Sequence, residues 1–271
     1  MIAAIREVRA FRWQGSESQE TADHLAMEEP MEIRLGGTPV AVTMRTPGND
    51  YELAAGFLFT EGILSHAAQI GSIVHCGDPA GADPKNVVDV IPAEGSEGTA
   101  PGWQRRFYMT SSCGICGKAS IDAVRLAVPR LEDGATFEPE RIYPLPERLR
   151  AVQPIFTRTG ALHAAALVLP SGELEIVRED VGRHNAVDKA VGACFLDERT
   201  PLGGRLLLVS GRASFEIVQK ALMAGVPAVA AVSGATSLAV DLATEMGMLL
   251  IGFLRGRTMQ VYSGVHRLSR N

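Results

Sequence analysis

The second half of the chain alternates short, continuously apolar runs with amphipathic runs, and this alternation constrains the fold more than any other feature. Three apolar runs, at residues 205–209, 229–232 and 248–254, predict buried strands. The runs between them, at residues 214–224 and 236–246, predict helices, and each is followed by a glycine of the kind that ends a helix. Because apolar strands separated by helices are typical of sheets covered on both faces, we predict an α/β sheet that is partly parallel.

Further elements are predicted on either side of this alternation. Residues 164–169 and 174–177 flank Pro170-Ser171-Gly172, which is typical of a hairpin. A helix is expected from about Asn185, and residues 259–262 predict the last strand.

The first half of the chain is richer in strand signals. Apolar residues alternate over residues 33–44 across a Gly-Gly-Thr-Pro turn, which predicts a hairpin. Asn49 and Glu52 resemble a capping box that opens a helix reaching residue 59, and residues 87–91 predict another strand.

Four prolines between residues 137 and 154 predict a connection between two lobes. We therefore predict an α/β protein, α+β overall. Its smaller, β-rich N-terminal lobe covers residues 1–135, and its α/β lobe covers residues 136–271.

Composition excludes several classes of function. The chain has 271 residues, of which 46% are apolar and 21% charged, as in an ordinary globular protein. A formal net charge of −5 gives no electrostatic reason to bind nucleic acid. Charged residues follow the first methionine closely, and no apolar run is long enough to span a bilayer. We expect a cytoplasmic protein that binds neither nucleic acid nor membrane.

Two of the four cysteines, Cys113 and Cys116, stand two residues apart in a polar loop rich in glycine. The loop follows a strand-like run at residues 107–109 and precedes a helix-like run at residues 120–128. A helix start and the adjacent Lys118 both favour thiolate over thiol. This pattern fits a persulfide carrier, a dithiol redox pair or half of a zinc site; the alternative is two small buried residues in a turn.

A zinc site would need two more ligands. The one other adjacent Cys/His pair, His75-Cys76, is distant in sequence. The zinc deaminase pattern needs a glutamate two residues after a histidine, whereas Ala165 occupies that position after His163. We therefore expect no zinc.

Three polar turns predict an anion site. Residues 178–189 place seven ionisable side chains at a strand-to-helix turn, and Arg183 and His184 stand at the predicted helix start, where positive charge opposes the helix dipole unless an anion is bound. Ser-Gly turns at residues 210–214, which include Arg212, and 233–237 also join strands to helices. Such turns gather at the carboxyl edge of an α/β sheet, which predicts a phosphate or nucleotide site. The alternative for each is ordinary capping or a solvated, self-paired turn.

Two more candidates lie near the ends of predicted strands. At residues 252–258 a strand leads into Phe253, Arg255 and Arg257, which suit base stacking and phosphate binding, although a polar hairpin would have the same pattern. His163 begins an apolar strand and is either a site residue or a structural histidine.

With these residues in view, the chain resembles the formate dehydrogenase accessory sulfurtransferase family (FdhD-type) over nearly its whole length. The segments that carry the resemblance are residues 44–48, 56–64, 112–117, 179–189, 210–212 and 252–255. The run Glu179-Asp180-Val181-Gly182-Arg183-His184-Asn185-Ala186-Val187-Asp188-Lys189 is the most specific of them; the two spaced cysteines alone would not identify the family.

The resemblance implies a sulfurtransferase that receives persulfide sulfur from a cysteine desulfurase. The sulfur would pass to the molybdenum bis-guanine-dinucleotide cofactor, bound as substrate, before that cofactor enters formate dehydrogenase, and a guanine nucleotide could mimic the cofactor. The resemblance also implies a homodimer and a second lobe similar to the cytidine deaminase fold without its zinc. By motif, Cys113 would carry the persulfide with Cys116 as its partner. The expected cofactor-binding residues are His163, Arg183, His184, Arg212, Phe253, Leu254, Arg255, Gly256, Arg257 and Thr258.

Two other functions fit the residues. A thiol–disulfide oxidoreductase would use the cysteine pair without any nucleotide site. A non-catalytic chaperone that shelters a cofactor would use the anion-binding turns without the cysteines.

Overall fold

The computed structural model describes residues 4–76, 84–96, 131 and 134–269. Within these ranges the strands are β1 (Ile5–Gln14), β2 (Glu17–Ala26), β3 (Glu29–Leu35), β4 (Thr38–Arg45), β5 (Ile70–His75), β6 (Val87–Pro92), β7 (His163–Val168), β8 (Leu174–Asp180), β9 (Leu206–Val209), β10 (Ala228–Ala231), β11 (Leu249–Arg255) and β12 (Thr258–Ser263). The α-helices are α1 (Asp50–Thr60), α2 (Pro139–Ile142), α3 (Leu145–Ala151), α4 (Pro154–Thr159), α5 (Arg183–Leu196), α6 (Phe215–Met223) and α7 (Ser237–Glu245).

A six-stranded sheet forms the centre of the fold, with strand order β12-β11-β10-β9-β7-β8. The strands β9, β10 and β11 are parallel, whereas β7, β8 and β12 join antiparallel at the two sides. The predicted alternation of apolar strands and helices is confirmed, and the sheet is partly parallel as expected. The fold class is mixed α/β.

A second sheet has strand order β4-β3-β6-β5, and β1 and β2 form a separate two-stranded ribbon. The predicted hairpin at residues 33–44 is confirmed, and its two turn glycines, Gly36 and Gly37, have φ of 55° and 77°. The ribbon was not predicted from the sequence, because its largely exposed residues mix charged, polar and aromatic types without a clear apolar face.

Both predicted helix starts are confirmed to within two residues, but the side-chain capping predicted at Asn49 is not. Asn49 adopts a left-handed conformation, with φ of 56°, and its side chain caps nothing, so the capping box does not form. The helix predicted from about Asn185 begins at Arg183, which places Asn185 inside the first turn, where it is buried. Asn185 instead donates to Asp180 Oδ1 at 3.0 Å and to Met44 O at 2.8 Å.

The proline-rich segment 137–154 is more than a connection. It contains α2 and α3 and leads directly into α4, and each of these three helices has a proline in its first turn. Proline at that position begins a helix, because the missing N–H would have no partner there in any case. Ile142, Leu145 and Leu149 are buried against the central sheet.

The central sheet separates two hydrophobic clusters. Alternate residues of β7, β9, β10 and β11 face α2 and α3 on one side, and the intervening residues face α5, α6 and α7 on the other. The second cluster also contains Met31, Leu53 and Leu58 from the N-terminal part. One apolar core therefore joins α1 and the smaller sheet to α5.

In the part of the chain that the structure describes, no helix combines the length and apolar character needed to cross a membrane.

Candidate functional site

The polar turns after β9 and β10 lie side by side at the carboxyl edge of the central sheet. Ala213 N donates to Gly234 O at 3.1 Å, and Thr236 N donates to Ala213 O at 3.1 Å. The prediction that these two turns meet at one edge is confirmed. Residues that follow a strand and precede a helix collect at this edge because the parallel strands all end there.

The turn before α5 also reaches this edge. A Cβ atom at Gly211 would lie 3.3 Å from His163 Nδ1 and 3.6 Å from Arg183 Cδ. The absence of a side chain at Gly211 therefore lets β7 and the start of α5 approach the turn closely. His163, Arg183 and His184 line one cavity of about 210 Å³, which Glu28, Met44, Val181 and Gly182 complete.

Positive charge at this cavity is only partly neutralised. Burial lowers the pKa of His163, and the charges of Arg183 and His184 lower it further, while Asp180 opposes the shift. Arg183 Nε is buried without a hydrogen-bond partner among the described residues. The exposed Arg212, in the neighbouring turn, makes no hydrogen bond or ion pair with any residue in the described ranges. This arrangement suits an anionic ligand.

His184 has contacts on α6. Its Nε2 lies 3.4 Å from Ser214 Oγ and 3.7 Å from Glu216 Oε2. Burial alone would raise the pKa of Glu216, but hydrogen bonds from His184, from the backbone N–H of Glu216 and from Ser214 outweigh burial and lower that pKa to about 2. Glu216 is therefore an ionised partner for the imidazole of His184.

The segment Phe253–Thr258 is divided between two places. Phe253, at φ of 50°, donates its N–H to Ser233 O at 3.0 Å, and a Cβ atom at Gly234 would lie 2.9 Å from its ring. The half-exposed ring of Phe253 therefore lies over the turn after β10, with the Arg255 guanidinium 5.4 Å from its centre. A bulky residue at positive φ is a conformation that proteins keep mostly at functional sites.

The other residues of this segment lie in the core, in the hairpin turn or against α2. Leu254 is fully buried in the core. Arg255 pairs with Thr258 across the hairpin turn, where Gly256 has φ of 50°. Arg257 forms an ion pair with Glu140 at 2.6 Å and lies over the Tyr143 ring. The contacts of Arg257 are therefore with α2 rather than with the cluster of His163 and Arg183.

Most ionisable residues of the segment 178–189 are structural. Asp180 and Lys189 form a buried ion pair at 2.7 Å, and both also bind Thr46, through its backbone N–H and its carbonyl oxygen respectively. Glu179 accepts hydrogen bonds from Ile155 N and Phe156 N at the start of α4. The self-paired turn that the sequence left open as an alternative thus describes part of this segment, whereas Arg183 and His184 face the cavity.

A second buried cluster lies between α1, α5 and α6. Lys220 Nζ contacts Asp188 Oδ1 at 3.0 Å, Glu61 Oε1 at 3.1 Å and Thr60 Oγ1 at 2.9 Å. Burial raises the pKa of Asp188, which Lys220 partly offsets. Sequence spacing could not reveal this cluster, because its members come from three separate elements.

Cys113 and Cys116 lie outside the described residues. Of the other two cysteines, Cys76 is half-buried and Cys194 is buried. Burial raises the pKa of the Cys194 thiol, which makes it a poor nucleophile. Among residues 4–76, 84–96, 131 and 134–269, no three His, Cys, Asp or Glu side chains gather closely enough to hold a metal ion.

A cavity that the sequence did not predict lies beside His163. It measures about 520 Å³ and is lined by Pro146, Leu149, Arg150, Gln153, Phe156, Gly160, Ala161, Leu162, His163, Ser210 and Val232. Sequence reasoning marked His163 and the turn at Ser210 but not the cavity, because four of its eleven lining residues come from the proline-rich segment that was predicted to be a connection.

Comparisons with known proteins agree in pointing to one family. The model of the FdhD/NarQ family matches residues 26–269. The sulfur carrier protein FdhD of Streptomyces avermitilis is 55% identical over 252 residues, which cover 91% of this chain and 89% of that protein. Its counterpart from Mycobacterium tuberculosis is 51% identical over 253 residues, covering 90% and 91% of the two chains.

The fold also matches a solved structure. The crystal structure of a proposed formate dehydrogenase accessory protein from Desulfotalea psychrophila superposes with a TM-score of 0.77 at 24% sequence identity. The match covers 98% of this chain and 100% of that chain. At this identity the likeness concerns the fold.

Proposed function

The chain belongs to the FdhD/NarQ family, and from that premise we propose that it is a sulfur carrier acting as an accessory protein for formate dehydrogenase. Its sulfur donor is a cysteine desulfurase. Its acceptor is the molybdenum bis-guanine-dinucleotide cofactor, held as substrate before it enters formate dehydrogenase. The protein acts in the cytoplasm as a homodimer. Relatives that are 51–55% identical over nine-tenths of the chain and named sulfur carriers support the first part of this proposal.

The loading step exchanges one thiolate for another. The Cys113 thiolate attacks the outer sulfur of the desulfurase persulfide, a new S–S bond forms, and the desulfurase thiolate leaves. Electrons balance without an oxidant, because one persulfide replaces another. The glycine that directly follows each cysteine and the nearby Lys118 suit an accessible, ionised thiol.

Release of the sulfur requires two electrons, and Cys116 can supply them. Its thiolate attacks Cys113 Sγ, the persulfide S–S bond breaks, and hydrosulfide leaves as a Cys113–Cys116 disulfide forms. Hydrosulfide is then available as a ligand for the molybdenum of the substrate. A cellular dithiol reductant restores both thiols.

The geometry that supports nucleotide binding is the cationic edge around His163, Arg183 and Arg212. Arg183 has a buried, unpartnered Nε among the described residues, and Arg212 is exposed in the adjacent Ser-Gly turn. Arginine binds phosphate oxygens in pairs, and Phe253 offers an aromatic face over the neighbouring turn. This cationic edge, in a chain of this family, is the observation on which the acceptor half of the proposal rests.

The test is intact-mass measurement after incubation with a cysteine desulfurase and L-cysteine, under non-reducing conditions. The wild-type chain should gain the mass of one sulfur atom, and dithiothreitol should remove it. Cys113→Ala should gain nothing, whereas Cys116→Ala should load but form no intramolecular disulfide on release. Cys76→Ala, which changes a thiol outside the loop, is the matched control and should load normally.

Other outcomes favour the alternative functions. A disulfide between Cys113 and Cys116 without any persulfide would favour a thiol–disulfide oxidoreductase. Guanine-nucleotide binding and full support of formate dehydrogenase by the double variant Cys113→Ala/Cys116→Ala would favour a cofactor-sheltering chaperone. Either result would overturn the proposal.

A further inference from the structure

The cavity beside α4 has the composition of a small-molecule site. Its volume of about 520 Å³ lies within the roughly 300–1,000 Å³ that is usual for such sites. Among the described residues that line it, the polar side chains are those of Arg150, Gln153, His163 and Ser210, and the others are apolar or glycine. A few polar groups in an apolar wall are what orients a largely apolar, flat ligand.

Gln153 is the polar residue whose bonding is incomplete. It is 4% exposed, and its Nε2 atom is buried without a hydrogen-bond partner in the described part of the chain. Its backbone position is fixed, since its carbonyl oxygen accepts from Thr157 N at 3.0 Å and from Thr157 Oγ1 at 2.8 Å. An unsatisfied buried amide costs about 1–3 kcal/mol, so the Gln153 amide calls for a partner that none of the described residues supplies.

The start of α4 is not itself an anion site. Ile155 N and Phe156 N already donate to the carboxylate of Glu179, at 3.1 Å and 2.8 Å. A phosphate group at this end of the cavity would be repelled by the negative charge of the Glu179 carboxylate. The Arg150 guanidinium stacks on the Phe156 ring, 3.8 Å from the ring centre, and the two together give the cavity a flat wall. The chemistry of this cavity therefore favours a ring over a phosphate.

The two cavities meet at His163, which lines both. The smaller one contains Arg183 and His184 and suits phosphate; the larger one contains Gln153 and suits a ring. A nucleotide has this same division into a charged part and a flat part. Ser210, in the larger cavity, directly precedes Gly211, whose missing side chain leaves room for His163 and Arg183.

We propose that the larger cavity binds the heterocycle of the ligand and that Gln153 is its specificity-determining residue. This inference rests on the proposed function, which supplies a nucleotide ligand. The Gln153 amide offers a donor beside an acceptor, which pairs with a ring edge carrying a carbonyl beside a ring N–H. Guanine has that edge, and a pterin has the same one. A purine without the carbonyl and the N–H lacks it.

The first measurement needs no variant. Isothermal titration compares guanosine 5′-monophosphate with purine riboside 5′-monophosphate, which has the same phosphate and ring size but no carbonyl and ring N–H. The wild-type chain should bind the guanine nucleotide roughly tenfold more tightly, the effect of satisfying the buried amide. Neopterin, titrated separately, shows whether a pterin ring binds in the same place, by competition with the guanine nucleotide.

The second measurement uses Gln153→Leu, which keeps the size of the side chain and removes the amide. This variant should bind the two nucleotides equally and should bind inorganic pyrophosphate as the wild type does. Val152→Ala, at the exposed neighbouring residue, is the matched control and should keep the tenfold preference. Circular dichroism of each variant checks that the fold is kept.

The outcomes separate this inference from the proposed function. If the wild type binds pyrophosphate but does not prefer the guanine nucleotide, the base site is wrong and the phosphate edge stands. If Gln153→Leu weakens pyrophosphate and nucleotide equally, Gln153 acts on the phosphate edge and the inference fails. If the wild type binds neither pyrophosphate nor nucleotide, the acceptor half of the proposed function fails first.

Discussion

His163 lies at the junction of the two cavities, and its imidazole has a lower pKa than an ordinary histidine. Burial lowers its pKa below 6.5, and Arg183 and His184 reinforce the shift, while Asp180 acts against it. The three positive or potentially positive groups face one another across a small space, which is unfavourable in the free protein. An anion placed between them would remove that repulsion and favour the protonated imidazole.

Binding of a phosphate-containing ligand should therefore take up a proton at His163. The pKa of His163 is lowered in the free protein and should be higher in the complex. The affinity for the ligand should therefore rise as the pH falls from about 6.5. Titration of guanosine diphosphate at several pH values measures this slope.

His163→Gln is the control, because glutamine keeps a polar side chain and cannot titrate. Since the ligand's own protonation affects both proteins equally, the difference between their slopes reports His163 alone. Equal slopes would mean that His163 does not change its protonation on binding.

For single residues, the sequence predicted which residues lie at the site better than it predicted the partners that they contact. Arg183 and His184 were expected at an anion site, and both line the smaller cavity. Asp180 and Lys189 stood in the same charged segment, yet they form a buried pair. Asp180 and Lys189 are held in this pair by Thr46, which binds both and is more than 130 residues away in sequence. Local spacing therefore could not distinguish them from the residues that line the cavity.

At the level of helices and strands, the contact between α1 and α5 depends on two glycines. A Cβ atom at Gly56 would lie 1.9 Å from Asp188 O, and one at Gly192 would lie 1.9 Å from Glu52 O. Both obstacles are backbone atoms of the other helix, so no side-chain rotation could relieve them. The helices can approach this closely only because both positions lack a side chain.

Gly192→Ala should destabilise the protein by about 1–3 kcal/mol or more, because the added methyl forces the two helices apart. Urea unfolding followed by circular dichroism measures the change in the free energy of unfolding. Gly134→Ala is the matched control, since that glycine is exposed, a Cβ there would have no atom within 4 Å, and its backbone does not need positive φ. An unchanged free energy for Gly192→Ala would contradict the close helix contact.

Helices and strands with a regular apolar pattern could be predicted from the sequence, whereas the helices that begin at or beside a proline could not. The strands β9, β10 and β11 are continuously apolar and lie close to the bounds that the sequence predicts. The prolines at residues 139, 144, 146 and 154 predict an irregular connection, whereas three helices begin at or beside them. Proline is excluded from a helix interior but favours a first turn, and composition alone does not tell these positions apart.

Across the whole molecule, the N-terminal part and the central sheet share one core. Met31 and Leu53 belong to the same buried cluster as Val187 and Val191 of α5. The ion pair of Asp180 with Lys189 and the cluster of Asp188 with Lys220 add polar contacts across the same boundary, through Thr46 and Thr60. A chain of 271 residues is long enough for two independent cores, so this sharing is a property of the sequence and not of its length.

The two predicted lobes should therefore unfold together. Separating them would expose the apolar face of α5 and leave Asp188 and Lys220 without Thr60 and Glu61, so a half-folded state would lose much of its burial. Differential scanning calorimetry of the full chain should give one transition whose calorimetric and van't Hoff enthalpies agree. Gly192→Ala, which acts at the boundary, should move that whole transition to lower temperature without splitting it. Two resolved transitions in the wild type, with only one of them shifted by the substitution, would show that the lobes are independent and that the shared core contributes little to either.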